Sequence, residues 1–157
     1  MTTKLYTDAE LDALRSMPKQ VANPRARWLL KPKARPGHRQ RVFRVHGGPE
    51  DRFLFEVYMR QSLEDDADFS CGIRHLPRGG QPLTLARYNG PSHEHGDIAY
   101  RPHIHRASER AIADGRKAES DATETDRFES LDGALACLTE DFSVSGIEVQ
   151  HDEPRLL

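Results

Sequence analysis

The chain has few of the features that identify membrane proteins, secreted disulfide-rich proteins or redox proteins. No apolar run in its 157 residues approaches the roughly 20 residues that a membrane span requires. The first residues, MTTKLYTDAE, contain no apolar stretch of the kind found in signal peptides. The two cysteines, Cys71 and Cys137, are far apart and lack CxxC spacing. We therefore expect a cytoplasmic protein with no membrane association and with two buried thiols.

The sequence also lacks the short motifs of the large hydrolase classes. It contains no HExxH zinc motif, no Walker-type phosphate loop, no GxSxG nucleophile and no PCxxC deaminase motif. Aromatic residues are scarce, and Trp28 is the one aromatic residue between residues 18 and 38. A platform for stacking nucleic-acid bases is therefore not evident in that basic segment.

Charge is distributed unevenly, although the net charge is only −2. Nine lysines and arginines and no acid lie between Lys19 and His46, whereas thirteen acids and five bases follow from Ser108 onward. This asymmetry is typical of charge pairing within the molecule or of a basic surface for an anionic partner such as RNA. It also fits solvated strands whose exposed edges are protected by lysine and arginine.

The spacing of apolar residues predicts helices near both ends of the chain. The sequence from Thr7 to Glu10 has the capping-box pattern that begins a helix, and Pro18 ends that helix. We expect a second helix over residues 107–114 and a third one that begins after the capping residue Ser130.

The middle of the chain has the alternating pattern of β-strands. Short turns rich in glycine and proline separate these runs, which favours an antiparallel meander of about four or five strands. Residues 18–38 are expected to form an extended, basic, proline-containing connector that could hold a short strand around residues 28–30, and residues 116–126 a polar loop. We predict a single α+β domain over residues 1–157, in which an N-terminal helix precedes the meander and one or two C-terminal helices pack on one of its faces. The strands are expected near residues 41–45, 53–60, 69–76, 83–88 and 103–105.

Half of the eight histidines lie in one short segment, as the pairs His93/His95 and His103/His105. Imidazole titrates near neutral pH, binds metals and transfers protons, so this density indicates a functional site. In a strand, His103 and His105 would point to one face while Ile104 faces the core. His93 and His95 lie in a polar segment, where they could also be solvated loop residues.

Two kinds of chemistry fit this histidine segment. In the first, His103 and His105 share zinc or another divalent ion, and His93, His95 or Glu109 completes the coordination shell, although a glutamate there more often complements a helix dipole. In the second, one neutral imidazole accepts a proton and a protonated one donates, while arginines at 87, 101 and 106 stabilise a pentacovalent phosphorane. The catalytic candidates are His103, His105, His93, Arg106 and Arg87.

The same segment resembles a motif of small bacterial toxins. The run Arg87-Tyr88-Asn89-Gly90-Pro91-Ser92-His93, followed by Pro102-His103-Ile104-His105, is similar to the arginine–aromatic–proline–histidine run of the TumE-like toxins from toxin–antitoxin operons. Residues 103–126 also resemble a bacterial and phage family of unknown function. The first resemblance implies a toxin that acts on RNA, a cognate antitoxin as its partner, and His93, His103 and His105 as site positions.

These observations lead to two hypotheses. The first is an RNA-directed enzyme, an endoribonuclease toxin that uses the histidines for proton transfer and the basic N-terminal half to hold the phosphate backbone. The alternative is a non-enzymatic binding module of a phage or defence system, whose histidines are structural or bind a structural metal ion.

Overall fold

The computed structural model describes residues 4–35, 37–92 and 100–152. Over these residues the chain has the predicted α+β class, with three α-helices and one mixed, mostly antiparallel sheet. None of these helices is long and apolar enough to cross a membrane. The helices are α1 (Asp8–Ser16), α2 (Glu109–Ala113) and α3 (Leu131–Asp141). The strands are β1 (Lys19–Val21), β2 (Leu29–Lys31), β3 (His38–Gly47), β4 (Phe53–Ser62), β5 (Phe69–His75), β6 (Leu83–Asn89), β7 (His103–Arg106), β8 (Ala122–Glu124) and β9 (Val144–Ser145).

The largest part of the sheet is a meander in which consecutive strands are neighbours. The strand order is β8-β7-β6-β5-β4-β3-β1-β9, and β2 also pairs with β3. The described pairings are antiparallel apart from that of β1 with β9. The meander from β3 to β8 has six strands. The sequence predicted four or five, and the additional strand is β8, which pairs with β7.

Three short strands lie in the two segments that the sequence predicted to be a connector and a loop. β1 and β2 lie within the connector at residues 18–38, and β8 lies within the loop at residues 116–126. Each has three residues, which is too few for hydrophobic alternation to be visible in a sequence. Backbone pairing with a longer neighbour defines these strands. The prediction of irregular chain was wrong at β1 and β8, whereas β2 confirms the short strand expected around residues 28–30.

Alternation of side chains gives the meander an apolar face and a polar face. On the apolar face, Phe43 and Tyr88 are fully buried, and helix α3 adds Leu135 to the same core. Burying one large aliphatic side chain stabilises a fold by about 1.5–3 kcal/mol, so this face holds the sheet and the helix together. The free thiols of Cys71 and Cys137 are buried in this core, as predicted.

The predicted capping signals begin both long helices. The Thr7 hydroxyl accepts a hydrogen bond from the Glu10 amide at 3.1 Å, and the Glu10 carboxylate accepts one from the Thr7 amide at 3.2 Å. The Ser130 hydroxyl accepts from the Gly133 amide at 3.0 Å and begins α3. Both helices therefore start where side-chain oxygens satisfy their first amides.

One lysine of the basic segment joins the ends of α1 and α3. Lys19 is 3% exposed, and its ammonium donates to the carbonyls of Arg15 and Met17 at 3.0 Å and of Phe142 at 2.7 Å. Carbonyls at a helix C-terminus lack donors from their own helix. Burial lowers the pKa of Lys19 to about 8. This cation therefore supports the core instead of facing an anionic partner.

Replacing Lys19 with methionine is expected to destabilise the protein, because three carbonyls would lose their shared donor. We expect the free energy of unfolding in urea to fall by about 2 kcal/mol, while Lys31→Met, at an exposed position, changes it little. A Lys19→Met variant as stable as the parent would show that the apolar replacement compensates for the lost hydrogen bonds.

Candidate functional site

The two histidines of β7 lie side by side, as the sequence predicted. Their ring centroids are 5.1 Å apart and the ring planes are inclined at 65° to each other. His103 and His105 are each 2% exposed. Ile104 lies between them in the chain and belongs to the core cluster on the apolar side. The strand therefore places both imidazoles on the polar face of the sheet.

Backbone carbonyls fix the orientation of both imidazoles. Nδ1 of His103 lies 3.0 Å from the carbonyl oxygen of Arg101, and Nδ1 of His105 lies 3.0 Å from that of Glu119. A carbonyl oxygen only accepts hydrogen bonds, so each Nδ1 carries a hydrogen. In the neutral ring the basic lone pair is then on Nε2. This arrangement prepares an imidazole for proton transfer or for metal binding.

Strand pairing brings Arg87 and Asn89 of β6 next to the histidines. Arg87 is opposite His105, and Asn89 is opposite His103. Residues opposite one another in antiparallel strands share a face. The Asn89 side-chain oxygen accepts a hydrogen bond from Ser70 at 2.7 Å. Asn89 thus belongs to the polar row beside the histidines.

Glu119 connects Arg87 with His105. Its carboxylate lies 3.1 Å from Nε of Arg87, while its carbonyl accepts from His105. Glu119 is 8% exposed, and a buried carboxylate needs a cationic partner of this kind. The sequence placed Glu119 in a polar loop and offered no signal for its role, because the contact depends on how the chain after α2 returns to the sheet.

Tyr58 continues the polar row on the next strands. A side-chain carbon at Gly72 would come within 2.4 Å of the Tyr58 ring, so glycine is required for the ring to lie over β5. The guanidinium of Arg74 lies 4.4 Å from the centre of the same ring and pairs with Glu56 at 2.6 Å. Burial raises the pKa of Tyr58, although hydrogen bonding to Ser70 opposes the change. The phenol therefore stays protonated near neutral pH.

The remaining arginine and glutamate candidates have side-chain partners other than the two imidazoles. Arg106 follows His105 in β7, so its side chain is on the opposite face, where it lies 4.0 Å from Asp141. Arg101 pairs with Glu124 at 3.3 Å at the exposed end of the site.

The Glu109 carboxylate accepts a hydrogen bond from the Asp8 amide at 2.9 Å, so it supports the start of α1 and does not orient an imidazole. His93 and His95 lie outside the described residues.

A metal centre stays a prediction. Among the described residues, no group of three or more histidine, cysteine or acidic side chains is placed to hold a metal ion. His103 and His105 could supply two nitrogen ligands, since their Nδ1 hydrogens are donated to carbonyls as in many metal sites. A complete set of ligands would need the segment that contains His93 and His95.

The basic residues of the N-terminal half divide between internal contacts and the polar face. Arg39 stacks on Trp28 at 4.0 Å and donates to Gln61, and Arg41 donates to the carbonyl of Ala26 at 2.7 Å. Arg44 instead lies opposite Glu56 on the polar face. The same face carries Arg60, Arg74 and Arg87 on β4, β5 and β6.

Comparisons of the chain with models of protein families, with curated proteins and with solved structures found no match. The resemblance to the TumE-like toxins therefore stays a prediction that depends on the motif residues.

The contacts of Asp141 predict an acid-sensitive step in stability. Burial alone would raise the pKa of Asp141, but hydrogen bonds from Arg127, at 2.9 Å to each carboxylate oxygen, and from Tyr88 hold this pKa below its ordinary value. The unfolded chain therefore binds the proton more readily than the folded one. The stabilisation is complete above the unfolded pKa of about 3.9 and is lost as the pH falls through the lower, folded pKa.

We expect Asp141→Asn to lower the free energy of unfolding by about 1–3 kcal/mol at neutral pH. The difference from the parent should shrink as the pH falls below about 4. Urea unfolding across this range measures the effect, and Asp12→Asn, which removes an exposed ion pair with Arg15, is the matched control. A difference that did not vary with pH would contradict the assignment.

Proposed function

We propose that the chain is a ribonuclease in which His103 and His105 transfer the protons of phosphodiester cleavage. The observation that carries the proposal is the pair of Nδ1–carbonyl contacts, because they leave the basic lone pair of each neutral ring on Nε2. The centroids of the two rings are only 5.1 Å apart. Two fixed imidazoles of this kind can act as general base and general acid on one phosphate. The resemblance to toxins that act on RNA favours the same chemistry.

The reaction would use the 2′-hydroxyl of RNA as nucleophile. One neutral imidazole accepts the proton of the 2′-hydroxyl as its oxygen forms a bond to phosphorus. The other, protonated imidazole donates its proton to the 5′-oxygen as the bond from phosphorus to that oxygen breaks. The products are a 2′,3′-cyclic phosphate and a 5′-hydroxyl, and proton exchange with solvent restores both rings.

Arginines on the polar face would bind the charged substrate. Arg87, which lies opposite His105, would stabilise the charge on the phosphorane. Arg44, Arg60 and Arg74 lie on the same face of β3, β4 and β5 and could contact neighbouring phosphates. Such contacts dominate the affinity of proteins for nucleic acids and weaken as salt increases.

The proposal is tested with His103→Ala and His105→Ala, assayed on single-stranded RNA and on DNA of the same sequence. Each variant is expected to lose about 100-fold or more in cleavage rate, and the DNA should stay intact because it lacks the 2′-hydroxyl. His151→Ala, at an exposed histidine, is the matched control. Cleavage at the parental rate in both variants, with the fold verified by circular dichroism, would refute the proposal.

A second candidate function follows from the burial of the histidines. Both rings are 2% exposed, and a catalytic group must come within hydrogen-bond reach of its substrate. Burial of this degree favours a binding module of a phage or defence system, whose histidines are structural or bind a structural metal ion. If these histidines bind a metal ion, protein purified without a histidine tag would contain about one equivalent of zinc. Removing that ion with a chelator would lower the melting temperature of the protein, and no enzymatic activity would be lost.

A further inference from the structure

A surface cleft beside the histidine site has the size of a small-molecule site. Its volume is about 760 Å³, within the range of about 300–1,000 Å³ that is typical of ligand pockets. Three segments enclose it: the chain before α1, the turn between β5 and β6, and the chain from the end of α2 to Glu119. The cleft is distinct from the histidine pair, since neither His103 nor His105 lines it.

The walls of the cleft carry more positive than negative charge. Four cations line it, and Glu119 is the one acid among the lining residues. Lys4 is paired with Glu10 at 2.9 Å, and Arg116 with Asp121 at 2.8 Å. The other two cations, Arg78 and Lys117, are exposed and form no ion pair within the described ranges.

The single acid of the cleft is already neutralised. The Glu119 carboxylate contacts Arg87 at 3.1 Å, so it does not offset the charge of Arg78 and Lys117. These two residues come from different segments, the β5–β6 turn and the chain after α2. An anionic group between them would be attracted to both, and arginine in particular binds phosphate through two parallel hydrogen bonds.

Apolar side chains also line part of the cleft. Leu5 is 66% exposed there, and Pro77, Pro82 and Ile112 also line it. An exposed leucine alone needs no explanation, but here it borders a concave surface that also carries two uncompensated cations. A bare anion would leave the apolar surface in contact with water, whereas an anion attached to a planar or apolar group would cover it.

From these observations we infer that the cleft binds a small organic phosphate, of the chemical class of a nucleoside monophosphate. The phosphate lies between Arg78 and Lys117, and the organic part covers Leu5 and the prolines. Glu119 borders this ligand with its side chain and holds His105 with its carbonyl. A bound ligand therefore contacts the residue that orients one histidine of the candidate site.

Titration calorimetry of the full chain tests this inference with AMP, adenosine and inorganic phosphate as probes. We expect AMP to bind at least tenfold more tightly than either adenosine or phosphate. No measurable AMP binding at millimolar concentration would overturn the inference. Adenosine binding as tightly as AMP would show that the cleft does not select anions, and phosphate binding as tightly would exclude the organic part; either result also overturns it.

Variants of the two cations locate the phosphate. Arg78→Glu and Lys117→Glu should each weaken AMP binding at least tenfold, whereas Arg78→Lys, which keeps the charge but not the two parallel hydrogen bonds, should weaken it less than Arg78→Glu does. Arg110→Glu reverses an exposed charge that does not line the cleft and is the matched control. Unchanged affinity in both cleft variants would contradict the assignment. Since these measurements do not depend on RNA cleavage, they also hold for a protein without nuclease activity.

Discussion

The packing of α3 on one face of the meander is the constraint on which the rest of the structure depends. Because the helix covers β4, β5 and β6 from one side, most of the residues that alternate onto that face are apolar. The residues between them are then free to be polar. Tyr58, Arg87 and Asn89 occupy such positions, and the histidines of β7 continue the pattern. The hydrophobic core and the candidate site therefore lie on opposite faces of one sheet.

This separation makes the site sensitive to strand register. A shift of one residue in β7 would turn Ile104 toward the polar face and both histidines into the core. Pairing with β6 on one side and β8 on the other holds the register in place. The carbonyls of Arg101 and Glu119 then orient the two rings. The short strand β8 thus contributes to the site by holding this register, and its Glu124 lies opposite His103.

Much of the fold could be predicted from local signals, because alternation and capping act over a few residues. The strands of the meander, the caps at Thr7 and Ser130 and the shared face of His103 and His105 follow from such signals. Alternation also implies that Arg106, next to His105, faces the other way, so its inclusion among the catalytic candidates did not follow the rule that grouped the histidines. Tyr58 and Glu119 could not be found in this way, since both reach the site through contacts between segments distant in the chain.

The central claim is that two imidazoles on the polar face are held with Nδ1 protonated and Nε2 basic. Long-range ¹H–¹⁵N correlation NMR of the full chain, at a mildly alkaline pH where neutral rings dominate, measures the tautomer of each histidine directly. The structure predicts the Nδ1–H form for both His103 and His105. Observation of the Nε2–H form for either ring would contradict the carbonyl contacts on which the site is built.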